Sequence, residues 1–595
     1  LVSVSVRDSD TIEQGEFTMT TARKVEQGQF PEIDQCLDRL HASAEGWAQS
    51  SVESRTKILQ RIVGLTGEVA KDWANAANKA KMIPAGSSLE GEEWISGPFA
   101  LMDACNHLTE TLRDMGGKRH VKKLGKRTLQ NGNLAVKVLP TSLYDYLLFS
   151  GVRAEVWMQD GVSADNLGSN TASAYDIPEK DRKGQIALVL GAGNIAAITP
   201  LDVLNKTIGE HKVVILKLNP VNDYLEPFIT KALSPLIESG ALEIVKGGAD
   251  VGAYLCENSL VTDIHITGSV ATHDAIVWGT GAEAEKNRKS AAPKLKKTIT
   301  SELGAVCPTI VVPGPWSQAD LRFQAEEVAT QKLHNSGFNC IACQVLIMPE
   351  DWDMGDKFVA EIEKTIAKAP RRGLYYPGAA DRQQAFEKST PNAKRIARGS
   401  ENVIMAQFGI PEKSAIETTE VFAPALSVTH VGGSDAANYL QTAIEYANDR
   451  LYGTLGANIL IHPATIRAIG KKQFEALVCR LKYGAIGINT WTGLGFLTTR
   501  TTWGAFPGHT LDDIQSGLGV VHNTMMFDKA ERSVVTKAFR PFPRGVLSGS
   551  LALLPRPPWF VTNRRGRQLG IALTRFQQKP SLLKIPGIFY HALLG

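Results

Sequence analysis

Apolar residues recur every three or four positions in the early part of the chain. IDQCLDRLHASAEGWAQ and SRTKILQRIVGLTGEVAKDWANAANKAK are examples, and the pattern predicts helices across residues 30–115. The period then shortens: NLAVKVLP and AEVWMQ, within residues 130–160, alternate as strands do. From QIALVLGAGN onward, short apolar runs alternate with helical stretches. HKVVILKLNP reads as a buried strand, DYLEPFITKALSPLIESG as a helix ending at glycine, and ALEIVKGG and VTDIHITGS as two more strands. Strands alternating with helices predict a parallel α/β sheet. The polar run GTGAEAEKNRKSAAPKLKK, residues 279–297, reads as a surface insertion or an exposed helix. A second α/β series follows, with PTIVVPG, CQVLIMP, LGANILIHP and GAIGINT as strands and DLRFQAEEVATQKLHN as a helix.

Composition narrows this picture. A chain of 595 residues exceeds what one hydrophobic core serves, so two or more domains are expected. Apolar residues at 43%, charged residues at 21% and a net charge of +4 argue for neither nucleic acid nor membrane as a bulk partner. Seven cysteines, an odd number widely spread, do not make a disulfide scaffold and fit a reducing, cytoplasmic compartment. No stretch reaches 18 consecutive apolar residues, so no spanning helix is expected. Residues 1–29 hold no basic stretch followed by a long apolar run and are expected to form a disordered leader, with Met19 reading as a natural start. Residues 529–595 carry 12 Lys and Arg against one acidic residue, Glu531, with short apolar runs and Trp559-Phe560 between them.

The candidate chemistry centres on LHNSGFNCIACQVLI, which holds Cys340 and Cys343. Read alone, the pair fits a redox dithiol or simple buried packing. A zinc site would need a second pair of ligands, and no CxxC or HxxxH partner is present, so no metal is expected.

The neighbouring residues change the weighting. Asn335-Ser336-Gly337-Phe338-Asn339-Cys340-Ile341-Ala342 resembles the nucleophile motif of the aldehyde dehydrogenase superfamily, Asn-x-Gly-Gln-x-Cys-x-Ala. Upstream, Ser301-Glu302-Leu303-Gly304-Ala305 resembles the segment that carries the family's general base, and Ile266-Thr267-Gly268-Ser269 its turn over the cofactor. Downstream, Glu420-Val421-Phe422-Ala423-Pro424, then Ala447-Asn448 with Tyr452-Gly453 and Gly456-Ala457, then Gly487-Ile488-Asn489 resemble three further family segments. Each is weak alone, but the six follow the family order over roughly residues 30–525.

The resemblance implies an α/β fold with a Rossmann-like cofactor domain, an α/β catalytic domain and a β-strand oligomerisation arm. On this chain those expectations fall at residues 30–300, with the arm near 130–160, and 301–488; residues 489–528 return to the cofactor domain and the oligomer strands, and 529–595 form a basic C-terminal extension. It implies oxidation of an aldehyde to an acid with NAD or NADP. Cys340 would add to the carbonyl, Asn194 and the Cys340 backbone N–H would meet the developing oxyanion, and Glu302 would activate the water that releases the thioacyl group. Lys217, closing an apolar strand, would meet the adenosine ribose; Gly248, Gly268 and Ser269 would form the turns over adenine and pyrophosphate; Glu420 would hold the nicotinamide ribose and Phe422 would pack by the ring. The glutamate that often follows the lysine three residues later is Pro220 here, which leaves NADP open.

The pattern breaks at Phe338, where the family has Gln, at Ala305, where it has Gly, and over Thr502–Gly508. With Trp491, Phe496, Trp503 and Phe506 close in sequence, a bulky apolar aldehyde is the expected substrate. A dimer or tetramer is expected, with the basic tail docked on a neighbouring subunit in preference to an anionic membrane surface, and no nucleic acid. Two other readings stay open: reduction of an acyl-CoA or other activated acyl group with the same cysteine, and a non-catalytic scaffold member of the family. Glu302 speaks for hydrolysis, because release to CoA needs no water-activating base.

Overall fold

The strand Val213–Lys217 is buried along its whole length, the signature of a parallel strand covered on both faces. In the computed structural model, which describes residues 29–398, 401–409, 414–550 and 552–595, it lies inside a six-stranded sheet. The order across that sheet is Gly517–Leu518, Thr298–Leu303, Val261–Gly268, Ile186–Leu190, Val213–Lys217 and Leu242–Val245. All pairings are parallel except that of Gly517–Leu518 with Thr298–Leu303. The helices expected over 30–115 are present as Pro31–Ala48, Val52–Ala80 and Ala100–Arg113, and they pack on this sheet around Leu37, Leu59, Trp73 and Leu101. The expected leader lies, but for Gln29, outside the described residues.

The second sheet has eleven strands. Its catalytic part runs Ala485–Ile488, Gly456–Leu460, Cys307–Val311, Cys343–Pro349, Ala425–Val431, Val403–Gln407 and Lys394–Ile396. The arm strands Lys126–Thr128, Leu134–Leu139 and Arg153–Met158 continue it, joined through Ala530–Thr536. That last strand pairs parallel with Ala485–Ile488 and antiparallel with Arg153–Met158. The arm is therefore stitched to the catalytic sheet of its own chain, and the first residues of the basic segment are an interior strand.

Parts of the remaining segment also pack on their own chain. Arg540 and Arg544 pair with Asp320, Arg556 with Glu326 and Arg567 with Glu90. Leu569, Phe576, Ile585 and Ile588 form a small core with Tyr144, Leu147 and Leu148. The excess of cations in the sequence is answered by carboxylates far upstream, which the local count does not reveal. The polar run 279–297 does contain an exposed helix, Gly281–Lys289, with no buried residue. Among the described residues, no helix is long and apolar enough to cross a membrane.

Candidate active site

The helix Gln318–Leu333 delivers Cys340. Its start is fixed by a capping box between Ser317 and Asp320, and its end runs into Asn335, Ser336 and Gly337, which all have positive φ (52°, 54° and 78°). Left-handed backbone costs about 1–2 kcal/mol at each non-glycine residue, so something must hold it. Glu92, from the helix Glu90–Trp94, accepts the Asn335 N–H at 3.0 Å and is ion-paired to the buried Arg372. Tyr375 donates its hydroxyl to Asn335 Oδ1 at 2.9 Å, and Asn335 Nδ2 donates to the Asn194 carbonyl at 3.1 Å. The motif asparagine thus ties the nucleophile loop to the loop that follows the strand Ile186–Leu190.

Cys340 emerges from this bend partly exposed, with its Sγ donating to Glu302 Oε1 at 3.3 Å. Glu302 stands on the strand Thr298–Leu303, 1% exposed. Its Oε1 also accepts the Trp503 indole N–H at 2.8 Å, while its buried Oε2 has no hydrogen-bond partner among the described residues. Burial, then the neighbouring Glu302, pushes the Cys340 thiol well above its ordinary range. Burial likewise raises the Glu302 carboxyl, against His522 and the Trp503 N–H. The resting pair is a thiol leaning on a carboxyl group.

Both residues line a cavity of about 880 Å³ that runs between the sheets. Lys217, Gly248, Gly268, Ser269, Glu420, Phe422 and Asn194 line it too, so the residues expected to act in catalysis and cofactor binding share this one groove. Burial lowers the Lys217 ammonium, with Asp250 opposing. Ser269 caps the helix Val270–Trp278, its Oγ accepting from Thr272 N at 3.2 Å. Glu420 is pushed up to about 8 by burial, against Lys332 and Arg382, and its buried Oε1 has no hydrogen-bond partner among the described residues. Gly304 explains the glycine of its motif: a Cβ there would collide with the Glu420 carboxylate. Phe422, itself at positive φ (40°), packs its ring on Tyr376 at 5.0 Å. Asn194 Nδ2 donates to the Phe338 carbonyl at 2.9 Å, which leaves its second amide hydrogen for another acceptor. A groove of this size, lined by a lysine that closes a parallel strand, a buried carboxyl group and a thiol, fits a dinucleotide.

The aldehyde dehydrogenase family model matches residues 213–388. The D-glyceraldehyde dehydrogenase (NADP(+)) of Thermoplasma acidophilum is 26% identical over 285 residues, 44% of this chain and 52% of that protein. Aldehyde dehydrogenase family 3 member H1 of Arabidopsis thaliana is 23% identical over 458 residues, 74% of this chain and 84% of that protein. Among solved structures, aldehyde dehydrogenase C from Pseudomonas syringae, in complex with NAD+ and octanal, superposes with a TM-score of 0.56 at 17% identity, covering 86% of this chain and 90% of that one.

Over residues 213–388 the chain is similar to the aldehyde dehydrogenase family, and its fold is that of the solved aldehyde dehydrogenases.

It spans 52% and 60% of the length of the two glyceraldehyde dehydrogenases it matches. Phe338, which stands where the superfamily has Gln, is fully buried and packs among Tyr375, Tyr376 and Phe422, so the change is absorbed by an aromatic cluster behind the loop. Of the four aromatics near the expected substrate wall, Trp503 and Phe496 reach the site, with rings 5.4 Å apart. Phe506 instead stacks under Arg532, and Trp491 donates its indole N–H to the Ile341 carbonyl beneath the loop. Cys343 is buried on its strand opposite Cys307, and burial raises it to about 11, which suits packing.

Sequence reasoning missed Glu92, Arg372 and Tyr375, which lie far from any motif and meet Asn335 only in the fold. It also missed the groove-side role of the polar run: Lys294, Lys296 and Lys297 line the cavity. Three cations in one short segment were the available signal. Among the described residues, no cluster of three His, Cys, Asp or Glu side chains is placed to hold a metal ion.

Proposed function

We propose that the chain oxidises an aldehyde to a carboxylic acid, with NAD or NADP, through a thiohemiacetal and then a thioacyl group on Cys340. The observation that carries this reading is the 3.3 Å contact between Cys340 Sγ and Glu302 Oε1 in the groove that Lys217 and Glu420 line. The bound dinucleotide would supply the hydride acceptor. Lys217 and Ser269 would hold its adenosine and phosphate portions, and Glu420 and Phe422 its nicotinamide end. Glu302 takes the Cys340 proton as sulfur adds to the carbonyl carbon. The Cys340 backbone N–H, and the second amide hydrogen of Asn194, would face the oxyanion. Glu302 Oε2, with no protein partner, is then the oxygen on which the hydrolytic water is held.

Pro220 puts no carboxylate beside the ribose, and Lys294, Lys296 and Lys297 add positive charge to the groove; both favour NADP. Ile195, Ile198 and Phe496 form an apolar cluster near Cys340, which suits an apolar aldehyde. The test is a panel of aldehydes followed by NAD(P)H absorbance with each cofactor, with and without CoA. Turnover without CoA is expected, lost in Cys340→Ala and mostly kept in Cys343→Ala. No NAD(P)H from any aldehyde, or strict CoA dependence, would overturn the proposal.

A further inference from the structure

Two histidines and an aspartate that the proposed chemistry leaves unused are packed beside Glu302. Asp202, on the helix Ile198–Leu204, is 1% exposed. Its Oδ1 accepts from His522 Nε2 at 3.0 Å and lies 3.4 Å from His265 Nε2, and its Oδ2 accepts from Thr267 Oγ1 at 3.3 Å. Two of these contacts lead back to Glu302. Thr267 is the register partner of Glu302 on the adjoining parallel strand. His522 is the cross-strand partner of Trp503, whose indole N–H donates to Glu302 Oε1. His265 Nδ1 closes the group against Thr300 Oγ1 at 2.9 Å. Phe496 packs on the His522 ring, centroids 5.4 Å apart. The ionisable groups around His522 are Asp202 from the helix, Glu302 from the strand Thr298–Leu303, and His265 across Asp202 from the strand Val261–Gly268.

Burial works against the Asp202 charge, yet His265 and His522 hold its carboxyl down to about 2. Burial drives Glu302 upward, and His522 leads the groups that oppose the rise, ahead of the Trp503 N–H; Asp202 adds to it. A general base must be ionised before it can take a proton, so the imidazole has a use that packing alone does not explain.

We propose that His522, gripped by Asp202, is a positioning residue that keeps Glu302 in its proton-accepting form for release of the thioacyl group. The inference rests on the function proposed above. In that step the water oxygen bonds to the acyl carbon and one water proton passes to Glu302. The carbon–sulfur bond breaks, sulfur leaves as thiolate with the electron pair, and the acid departs with the second proton. His522 touches none of the reacting atoms and acts through the charge on Glu302. Asp202 fixes the ring with its proton on Nε2.

The test uses His522→Gln and His522→Asn, each alone and with Asp202→Asn, in the full-length protein, with near-UV circular dichroism to choose whichever replacement folds. The NAD(P)H burst and the steady-state rate are measured across pH. The burst is expected to persist, while the acid limb of the steady-state rate moves up by about one pH unit or more. The rate at neutral pH then falls about ten-fold and recovers in alkali. Adding Asp202→Asn removes the remaining negative charge and is expected to move the limb back down. A limb that stays in place, or a burst and steady state that fall together at every pH, would overturn the inference. A wild-type protein that forms no NAD(P)H from any aldehyde with either cofactor would instead remove the proposed function, and this inference with it.

Discussion

The Cys340 thiol rests against the Glu302 carboxyl group, Sγ to Oε1 3.3 Å; burial raises both, Glu302 adds to the rise at the thiol, and the thiol's hydrogen bond opposes the rise at Glu302. Both shifts run upward, so turnover is expected to rise with pH from the acid side into the alkaline range. Glu302→Gln leaves the site with no group to activate water. One NAD(P)H per site should appear, more slowly than in wild type because Glu302 no longer takes the Cys340 proton, and the steady-state rate should then fall by about 10²–10⁴-fold, the usual worth of a general base. Stopped-flow absorbance separates the two phases. An unchanged steady state would remove the role assigned to Glu302.

Trp503 donates its only polar hydrogen to Glu302 Oε1 at 2.8 Å, and both residues are buried. Trp503→Phe keeps the aromatic contact with Phe496 but deletes the donor. A hydrogen bond to a charged group is worth about 1.5–3 kcal/mol, so the ionised form of Glu302 should weaken by that order. The expected result is a slower steady state whose acid limb lies at higher pH, with thermal stability little changed. The pH–rate profile checks it.

Glu92 and Arg372 form a buried ion pair that also holds the Asn335 backbone in its left-handed turn. Glu92→Gln leaves a buried guanidinium without its countercharge. Removing one partner of such a pair destabilises by about 3–5 kcal/mol. Chemical denaturation should show a loss of that size, and the pulse-labelling rate of Cys340 should change as the loop relaxes. A variant as stable as wild type, with an unaltered labelling rate, would show that the loop is held by other means.

Asp320 links the start of the nucleophile helix to the C-terminal segment through Arg540 and Arg544. Burial opposes its charge, but Arg540 and the Ser317 capping bonds hold the carboxyl down to about 2. Its folded pKa lies below its unfolded value near 4. The pair's stabilising effect is therefore complete above about pH 4 and disappears as pH falls toward 2. Asp320→Asn should cost about 2 kcal/mol at neutral pH and flatten the acid dependence of stability between those values. Urea unfolding at pH 7 and pH 3 measures both.

Much of this site was legible in the sequence because its parts sit in short local motifs. Cys340, Glu302 and Glu420 each lie in a segment whose glycines and neighbours are fixed by close packing, as Gly304 against Glu420 shows. The strands were readable from their apolar runs, Val213–Lys217 most plainly. What could not be read are contacts between distant segments. Glu92 on Asn335, Asp202 on His522 and Asp320 on Arg540 join stretches that share no period and no motif. Local charge counts hide such contacts for the same reason: Arg540, Arg544, Arg556 and Arg567 of the basic C-terminal segment pair with carboxylates far upstream. The ionisation of Cys340 is not readable from sequence, because burial and the companion carboxyl group, both products of the fold, decide it.

The central claim is that Cys340 carries the acyl group and Glu302 releases it. The most direct measurement is peptide mass mapping of Glu302→Gln, quenched after mixing with an aldehyde and NADP+ or NAD+. The account predicts an acyl adduct on Cys340, absent from Cys343 and from Cys340→Ala protein treated alike. An unmodified Cys340 in protein that has produced a full equivalent of NAD(P)H would contradict it.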